Sequence, residues 1–131
     1  MAKGRRDYTW GFQIETATGA RNTESFVKYG FEAVEYNTYT TLYTYVVPEG
    51  KRLAINKVIF STGSWDSYLS YIGINSVLQF HVKSSGVIMS DFSDQNPFYV
   101  TAGQEITAGV ISEDAETCSF FVSIIGVLET L

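Results

Sequence analysis

Few residues of this chain have side chains that could act as nucleophiles, general bases or metal ligands. The 131 residues include one histidine, His81, and one cysteine, Cys118. A metal pair would need a second histidine, and a cysteine nucleophile would need a base beside it. His81 lies on the more polar face of VLQFHVK, and Cys118 alternates with Phe120 and Val122 as a small core residue does. We therefore expect no catalytic residue, no metal, no cofactor and no enzymatic activity.

The stretch YVVPEGKRLAINKVIF, residues 45–60, contains a Gly-Lys pair of the kind found in phosphate-binding loops. A P-loop requires Gly-x-x-x-x-Gly-Lys-Ser/Thr between a strand and a helix. Here the first glycine is missing, Arg52 follows Lys51, and the next residues alternate as in a strand. Pro48 presets φ at the first turn position and Gly50 supplies a positive φ. The motif predicts a turn and not a nucleotide site.

The acidic segment SEDAE places Glu113, Asp114 and Glu116 between two strongly apolar strands. Loops rich in carboxylate oxygens can hold calcium, but these residues do not fit the EF-hand register and no glycine supplies its sharp turn. We interpret the segment as a hairpin tip that its charges keep soluble.

Aromatic residues outside a single core face are the more promising functional feature. Tyr43 and Tyr45 alternate with Leu42 and Val46, so one of these two sets points away from the core. Exposed Tyr and Trp residues are typical of protein interfaces and of sugar-binding surfaces, although Tyr rows also stabilise sheets through cross-strand pairs. The segment SWDSYLSY supplies a candidate ligand-binding surface, which consists of Trp65, Asp66, Tyr68 and Tyr71.

The first fifteen residues combine a basic tip with an alternating aromatic pattern. Three of the nine basic residues fall in the first six positions, and DYTWGFQIE alternates as a half-buried strand does. The rest of the chain contains six basic and fourteen acidic residues, and this excess of negative charge argues against nucleic acid as a partner. A solubilising terminus is the alternative to an interface. The candidate protein-interface residues are Arg5, Arg6, Tyr8, Trp10, Phe12 and Ile14.

The elements that must position these residues are predicted to be short strands. Nine Tyr, nine Phe and two Trp residues, with many Val, Ile and Thr, favour strands. From Thr40 onward, alternating runs are punctuated by turn residues at intervals of roughly ten residues, which predicts an antiparallel sandwich or barrel. Residues 16–25 are predicted to form a loop. Residues 25–36, SFVKYGFEAVEY, are ambiguous, because their apolar residues would line one side of a helix that Gly30 weakens.

The closing run TCSFFVSIIGVLE is apolar on both faces of a predicted strand. One face carries Phe120, Val122 and Ile124, and the other carries Phe121, Ile125 and Val127. A strand that is apolar on both faces is covered on both faces. The second cover would be the N-terminal segment or a neighbouring subunit, and we favour a homo-oligomer.

Other features limit the environment of the chain. No apolar run has the length of a membrane span, and the N-terminus lacks an apolar signal region. A single cysteine allows no intrachain disulfide, which suits a reducing cytosol. We expect a soluble chain without a membrane partner.

Three segments, VVPEGKRLAI, VTAGQEITA and SFFVSIIGVLE, resemble the small jelly-roll virion proteins of tailed bacteriophages, in particular head decoration (cement) proteins. The resemblance covers residues 40–131. It implies an all-β antiparallel sandwich of jelly-roll type, assembled as a trimer on the capsid exterior. The implied domains are an N-terminal arm with a basic tip over residues 1–38 and the sandwich over residues 39–131.

The function that this resemblance implies is structural and non-enzymatic. The arm would bridge subunits of the major capsid protein, and the protein would reside on the virion after assembly in the host cytoplasm. The alternative is a receptor- or carbohydrate-binding tip module of a phage tail or fibre.

Overall fold

The computed structural model describes residues 22–93 and 95–131, which form nine β-strands and no helix. The strands are β1 (Asn22–Val34), β2 (Tyr39–Val46), β3 (Lys51–Thr62), β4 (Tyr68–Ile74), β5 (Val77–Ser84), β6 (Ile88–Asp91), β7 (Phe98–Thr101), β8 (Glu105–Ser112) and β9 (Cys118–Thr130). They build two antiparallel sheets, so the predicted all-β antiparallel sandwich is confirmed.

Each sheet combines strands that are far apart in the sequence. Sheet A has the order β1-β9-β3-β6, and β7 also pairs with β3; sheet B has the order β2-β8-β4-β5. The chain changes sheet at every connection except β4–β5 and β6–β7. As a result β1 and β9, from opposite ends of the described chain, pair along thirteen residues each.

The core lies between the sheets, where the central strands β3, β4, β8 and β9 bury apolar side chains. Ile55 and Ile124 from sheet A, and Ile72 and Ile106 from sheet B, are all fully buried. Burial of a side chain of this size contributes about 1.5–3 kcal/mol to stability. The predicted runs from residue 51 onward all form strands in this arrangement.

The predicted turn at Pro48 is confirmed, with one correction. The N–H of Lys51 donates to the carbonyl of Pro48 at 3.2 Å, and Gly50 has a φ of +76°. Pro48 is therefore the residue before the two central turn positions and not the first of them. The related segment VTAGQEITA builds the same device, because Gln104 N–H donates to Thr101 at 3.0 Å and the intervening Gly103 has a φ of +83°.

Strand β1 corrects two interpretations of the N-terminal third. Residues 22–34 pair with β9 throughout, so they belong to the sandwich and not to an arm that reaches residue 38. The helical alternative for residues 25–36 is wrong, and residues 22–25 of the predicted loop belong to β1, while residues 16–21 lie outside the described residues. Gly30 lies where β1 crosses β2, and a Cβ there would overlap the carbonyl oxygen of Leu42. The glycine thus serves a close strand approach.

In strand β2, the structure shows which of the two predicted sets, Tyr43 and Tyr45 or Leu42 and Val46, faces the core. A register shift between Thr41 and Tyr43 interrupts the alternation. Tyr43 and Tyr45 pack against the core after this shift, whereas Val46 is 54% exposed. Tyr43 and Tyr45 are therefore not a free aromatic surface.

Candidate interaction surfaces

The outer face of sheet A, the side turned away from sheet B, carries exposed apolar side chains. Tyr29 and Phe31 on β1 are 75% and 68% exposed, and Val27 lies on the same face. Strand β9 continues this row, since Val27 pairs with Ile125 and Phe31 pairs with Phe121. The Phe31 and Phe121 rings stack with centroids 5.9 Å apart. Nothing in the described part of the chain covers this row.

The row extends over the neighbouring strands of the sheet. Ile59 on β3 lies beside Ser123 of β9, and Met89 on β6 lies beside Ile59 and is exposed. We name this surface the sheet A patch, and its members are Val27, Tyr29, Phe31, Ile59, Met89, Phe121 and Ile125.

Charged pairs border the sheet A patch. Arg52 Nε donates to Glu129 Oε1 at 2.7 Å, while the guanidinium lies 4.3 Å from the Tyr99 ring centroid. Lys57 Nζ lies 3.6 Å from Asp91 Oδ1 on the adjacent strands. An apolar centre with a polar rim is the usual anatomy of a protein interface.

The predicted interface residues of the N-terminal segment lie outside the described residues. They are Arg5, Arg6, Tyr8, Trp10, Phe12 and Ile14. The segment joins the sandwich at Asn22, the first residue of β1. Strand β1 stands at the end of the sheet A order and pairs only with β9 among the described strands. A long edge strand of this kind can accept an added strand from a partner.

The candidate ligand-binding residues of SWDSYLSY are not brought together. Trp65 is 97% exposed in the β3–β4 loop, and Asp66 follows it, with its backbone N–H donating to Ser64 Oγ at 3.1 Å. Tyr71 lies on the outer face of sheet B, half-buried. These three residues therefore occupy a loop and a sheet face instead of one surface.

Tyr68 is a core residue, so its assignment to a ligand-binding surface is wrong. Its side chain is fully buried, and its ring meets that of Phe120 at 5.0 Å across the two sheets. The hydroxyl donates to the carbonyl of Gly86 at 2.6 Å. Burial raises the pKa of Tyr68 to about 12, because the charged phenolate is disfavoured away from water.

The acidic loop after β8 connects the two sheets and is not a hairpin tip. Ser64 Oγ donates to Asp114 Oδ2 at 2.7 Å, and the Ser67 hydroxyl donates to Glu113. Glu113 also pairs with Lys83 Nζ at 2.8 Å. These bonds fasten the loop to the β3–β4 loop. The described residues contain no group of three or more side chains suited to a metal ion.

Cys118 lies in this network, half-buried, with its Sγ 3.1 Å from Asp114 Oδ2. Hydrogen bonds from the Ser64 hydroxyl, the Glu116 N–H and the Cys118 thiol lower the pKa of Asp114. The same carboxylate raises the pKa of Cys118. The thiol is held protonated, which makes it a poor nucleophile.

A second surface, which the sequence reasoning missed, is a groove of about 370 Å³ on the outer face of sheet B. We name it the sheet B groove, and its lining residues are Tyr39, Thr41, Tyr71, Gly73, Ser76, Leu78 and Thr107. Two glycines within predicted strands, Gly73 and Gly109, were the available signal, because strand glycines mark close approaches and missing side-chain volume.

Comparison with known proteins finds no matching family model, no similar curated protein and no similar solved structure. Within the described residues, the structure offers no helix capable of crossing a membrane.

Proposed function

We propose that this chain is a non-enzymatic structural protein of a virion, which decorates a capsid and stabilises it by bridging capsid subunits. The observation that carries the proposal is the sheet A patch. Its aromatic members Tyr29 and Phe31 are exposed on a sandwich whose core is already complete. Such residues are costly to leave in water, and they favour association with a second protein surface.

The first occupant of the sheet A patch is another copy of the chain. The patch has the apolar centre and charged rim of an interface, and in a closed ring of copies it would contact a different surface of the neighbouring copy. We propose a homotrimer on the capsid exterior, in keeping with the resemblance to decoration proteins. Attachment through several copies raises avidity without strong single contacts.

The strand order supports assignment of the sandwich to the jelly-roll type. Strands β6 and β7 pair with successive stretches of β3, residues 57–60 and 52–55, and so share the place of one strand. Counting them together gives two sheets of four strands, with the chain alternating between the sheets as in a double Greek key.

The N-terminal segment is proposed to anchor the protein to the major capsid protein. Its basic tip, with Arg5 and Arg6, contrasts with the acidic remainder of the chain and suits an acidic capsid surface. The alternating Tyr8, Trp10, Phe12 and Ile14 are suited to apolar contacts along one face. The segment precedes the edge strand β1 in the chain, the position from which an extended arm would depart.

Self-association is tested by measuring the solution mass of the full-length protein by light scattering. We expect a multiple of the 14.6 kDa chain mass, and we expect the monomer from the double variant Tyr29→Ser/Phe31→Ser. The matched control is Tyr39→Ser, since Tyr39 is 72% exposed on the other sheet. A monomeric wild-type protein would contradict the assembly proposal.

Capsid anchoring is tested by co-sedimentation with purified capsid shells of the phage that encodes the chain. We expect wild-type protein to pellet with the shells and the Trp10→Ala/Phe12→Ala variant to remain in the supernatant. The control is Trp65→Ala, which removes an exposed aromatic from the body of the protein. Equal pelleting of all three proteins would refute the anchoring role.

A receptor- or carbohydrate-binding tip module is the second candidate. The observation that favours it is Trp65, which is 97% exposed in the β3–β4 loop. The loop and the neighbouring β5–β6 turn enclose a shallow cavity of about 410 Å³, lined by Thr62, Gly63, Ser64, Trp65, Ser85 and Gly86. The Trp65→Ala variant, tested for binding to glycans in the experiment below, would lose binding under this reading.

A further inference from the structure

The sheet B groove forms where two strand glycines, Gly73 and Gly109, leave the outer face of the sheet without side chains. Gly73 of β4 pairs with Thr107 of β8, and Tyr71 pairs with Gly109 one row away. The Tyr71 hydroxyl occupies the space over Gly109, where a Cβ would overlap it. The ring of Tyr71 therefore lies low over the sheet and forms one wall of the groove instead of filling it.

A second tyrosine extends that wall outward. The rings of Tyr39 and Tyr71 meet edge to face, with centroids 5.6 Å apart and an interplanar angle of 69°. Tyr39 is 72% exposed, so its ring is accessible to a ligand. Tyr71 is half-buried, and its hydroxyl is packed over Gly109. One tyrosine is thus fixed and the other is open to contact.

The opposite wall ends at a strained residue. Asn75 and Ser76, which join β4 to β5, have φ values of +51° and +67°. A two-residue hairpin turn of this kind strongly favours glycine at its second position. The chain instead retains a serine there, and its side chain lines the groove. Strain of this kind gathers at ligand-binding sites.

The lining chemistry defines the class of ligand. Hydroxyl groups come from Tyr39, Thr41, Tyr71, Ser76 and Thr107, and an apolar side chain comes from Leu78. None of the lining residues has a charged side chain. A phosphate or carboxylate ligand would find no cation among them, and a wholly apolar ligand would leave these hydroxyls without partners.

We propose that the sheet B groove binds a neutral saccharide. The apolar face of a sugar ring would stack on Tyr39 and contact Leu78, and its hydroxyls would exchange hydrogen bonds with Thr41, Ser76 and Thr107. Tyrosine suits such a ligand because it combines an apolar ring with a polar tip. This inference goes beyond the proposed assembly function and is compatible with it, since sheet A and sheet B turn their outer faces in opposite directions.

The test is binding of the full-length protein to an immobilised panel of neutral and acidic glycans, followed by titration of the strongest soluble glycan in an NMR experiment. We expect wild-type protein to bind neutral glycans. Tyr39→Ala is expected to weaken the affinity about tenfold or more, because it removes the accessible ring. Ser76→Gly is expected to weaken it severalfold without loss of folding, because it removes one hydroxyl at a position that glycine tolerates.

Two control variants localise the effect. Tyr29→Ala removes an equally exposed tyrosine from sheet A, and Trp65→Ala removes the exposed loop aromatic. In the NMR titration, which reports single-site affinity, both variants are expected to bind the glycan within twofold of wild type, and losses are compared in this titration. The inference is overturned by an absence of binding to every glycan, by binding confined to acidic glycans, by equal loss in Tyr29→Ala, or by loss in Trp65→Ala alone.

The result is separable from the assembly proposal. The NMR titration with a soluble glycan reports the affinity of a single site, so it does not depend on the number of copies. A monomeric protein that binds the glycan would refute assembly and support the groove. An assembled protein that binds no glycan would support assembly and refute glycan binding in the groove.

Discussion

Among the described residues, Ser76 is the one residue other than glycine and asparagine that has a positive φ. A residue other than glycine held at positive φ costs about 1–3 kcal/mol, and part of this is recovered because serine has less freedom than glycine in the unfolded chain. We predict that Ser76→Gly raises the free energy of unfolding by about 0.5–1 kcal/mol, measured by urea denaturation.

The matched control is Ser85→Gly. Ser85 lies in the next turn and is not among the described residues with positive φ, so glycine there gains nothing and should leave stability unchanged or lower. If Ser76→Gly destabilised the protein as much as Ser85→Gly, the strain argument would fail. A gain in stability accompanied by weaker glycan binding would show that the serine is retained for the groove.

Tyr68 supplies a pH-dependent contribution to stability. Tyr68→Phe loses the hydrogen bond to Gly86 and is expected to cost about 1 kcal/mol at pH 7. Folding raises the pKa of Tyr68 from near 10 to about 12. The folded state therefore favours the neutral phenol, and its advantage is complete below pH 10 and is lost as the pH rises through 12.

Chemical denaturation of wild type and Tyr68→Phe at pH 7, 10 and 11.5 tests whether the contribution of Tyr68 to stability falls as the pH rises. The stability difference between the two proteins should narrow between pH 10 and 11.5, because wild type alone loses the contribution of Tyr68. The other tyrosines are common to both proteins and cancel. A difference that stays constant over this range would contradict the assignment.

At the scale of elements, the contact between β9 and β3 depends on Gly126. A Cβ at this position would overlap the carbonyl oxygen of Ala54 and lie 2.9 Å from the Cα of Ile55. Both neighbours are backbone atoms of the paired strand, so they cannot move aside without breaking the pairing. We predict that Gly126→Ala lowers the free energy of unfolding by about 1–3 kcal/mol, measured by chemical denaturation.

Gly63→Ala is the control for this substitution, because a Cβ at Gly63 has no atom within 4 Å and the residue does not have a positive φ. Its effect should stay within about 0.5 kcal/mol. Equal effects of the two substitutions would mean that the cost of alanine does not come from the β9–β3 contact.

The strands differ in how well the sequence predicted them, and β1 shows why. Strands such as β8 and β9 bury apolar residues at regular positions facing the core, so their apolar pattern identifies them. In β1 the inward positions include Lys28 and Glu32, which remain exposed at the sheet edge, whereas Tyr29 and Phe31 on the outer face are apolar. The resulting pattern has no clear period of two, which left a helix as an alternative.

The candidate surfaces were harder to predict because they depend on which strands become neighbours. The apolar second face of β9 predicted a face covered by the N-terminal segment or a neighbouring subunit, and Phe121 and Ile125 lie on the outer face of sheet A, which no described residue covers. Tyr39 and Tyr71 come from strands separated by β8, and no local pattern brings them together. Tyr68 was misplaced because alternation within β4 gives two sets of residues without saying which set is buried.

At the scale of the whole molecule, the proposed self-association through the sheet A patch would couple assembly to stability. If the patch binds a second copy, dissociation precedes or accompanies unfolding, and a higher protein concentration stabilises the folded state by mass action. In a trimer, a tenfold increase in concentration stabilises each folded chain by about 0.9 kcal/mol, two thirds of the roughly 1.4 kcal/mol gained per association step. For a chain of this size we therefore predict that Tm rises by about 3–6 °C per tenfold increase in concentration.

Differential scanning calorimetry at three concentrations of the full-length protein measures this dependence. The double variant Tyr29→Ser/Phe31→Ser should have a Tm that does not change with concentration, because the sheet A patch no longer binds its partner. Tyr39→Ser, which alters the opposite sheet, should retain the wild-type dependence. A concentration-independent Tm in all three proteins would mean that the patch is not a self-association surface.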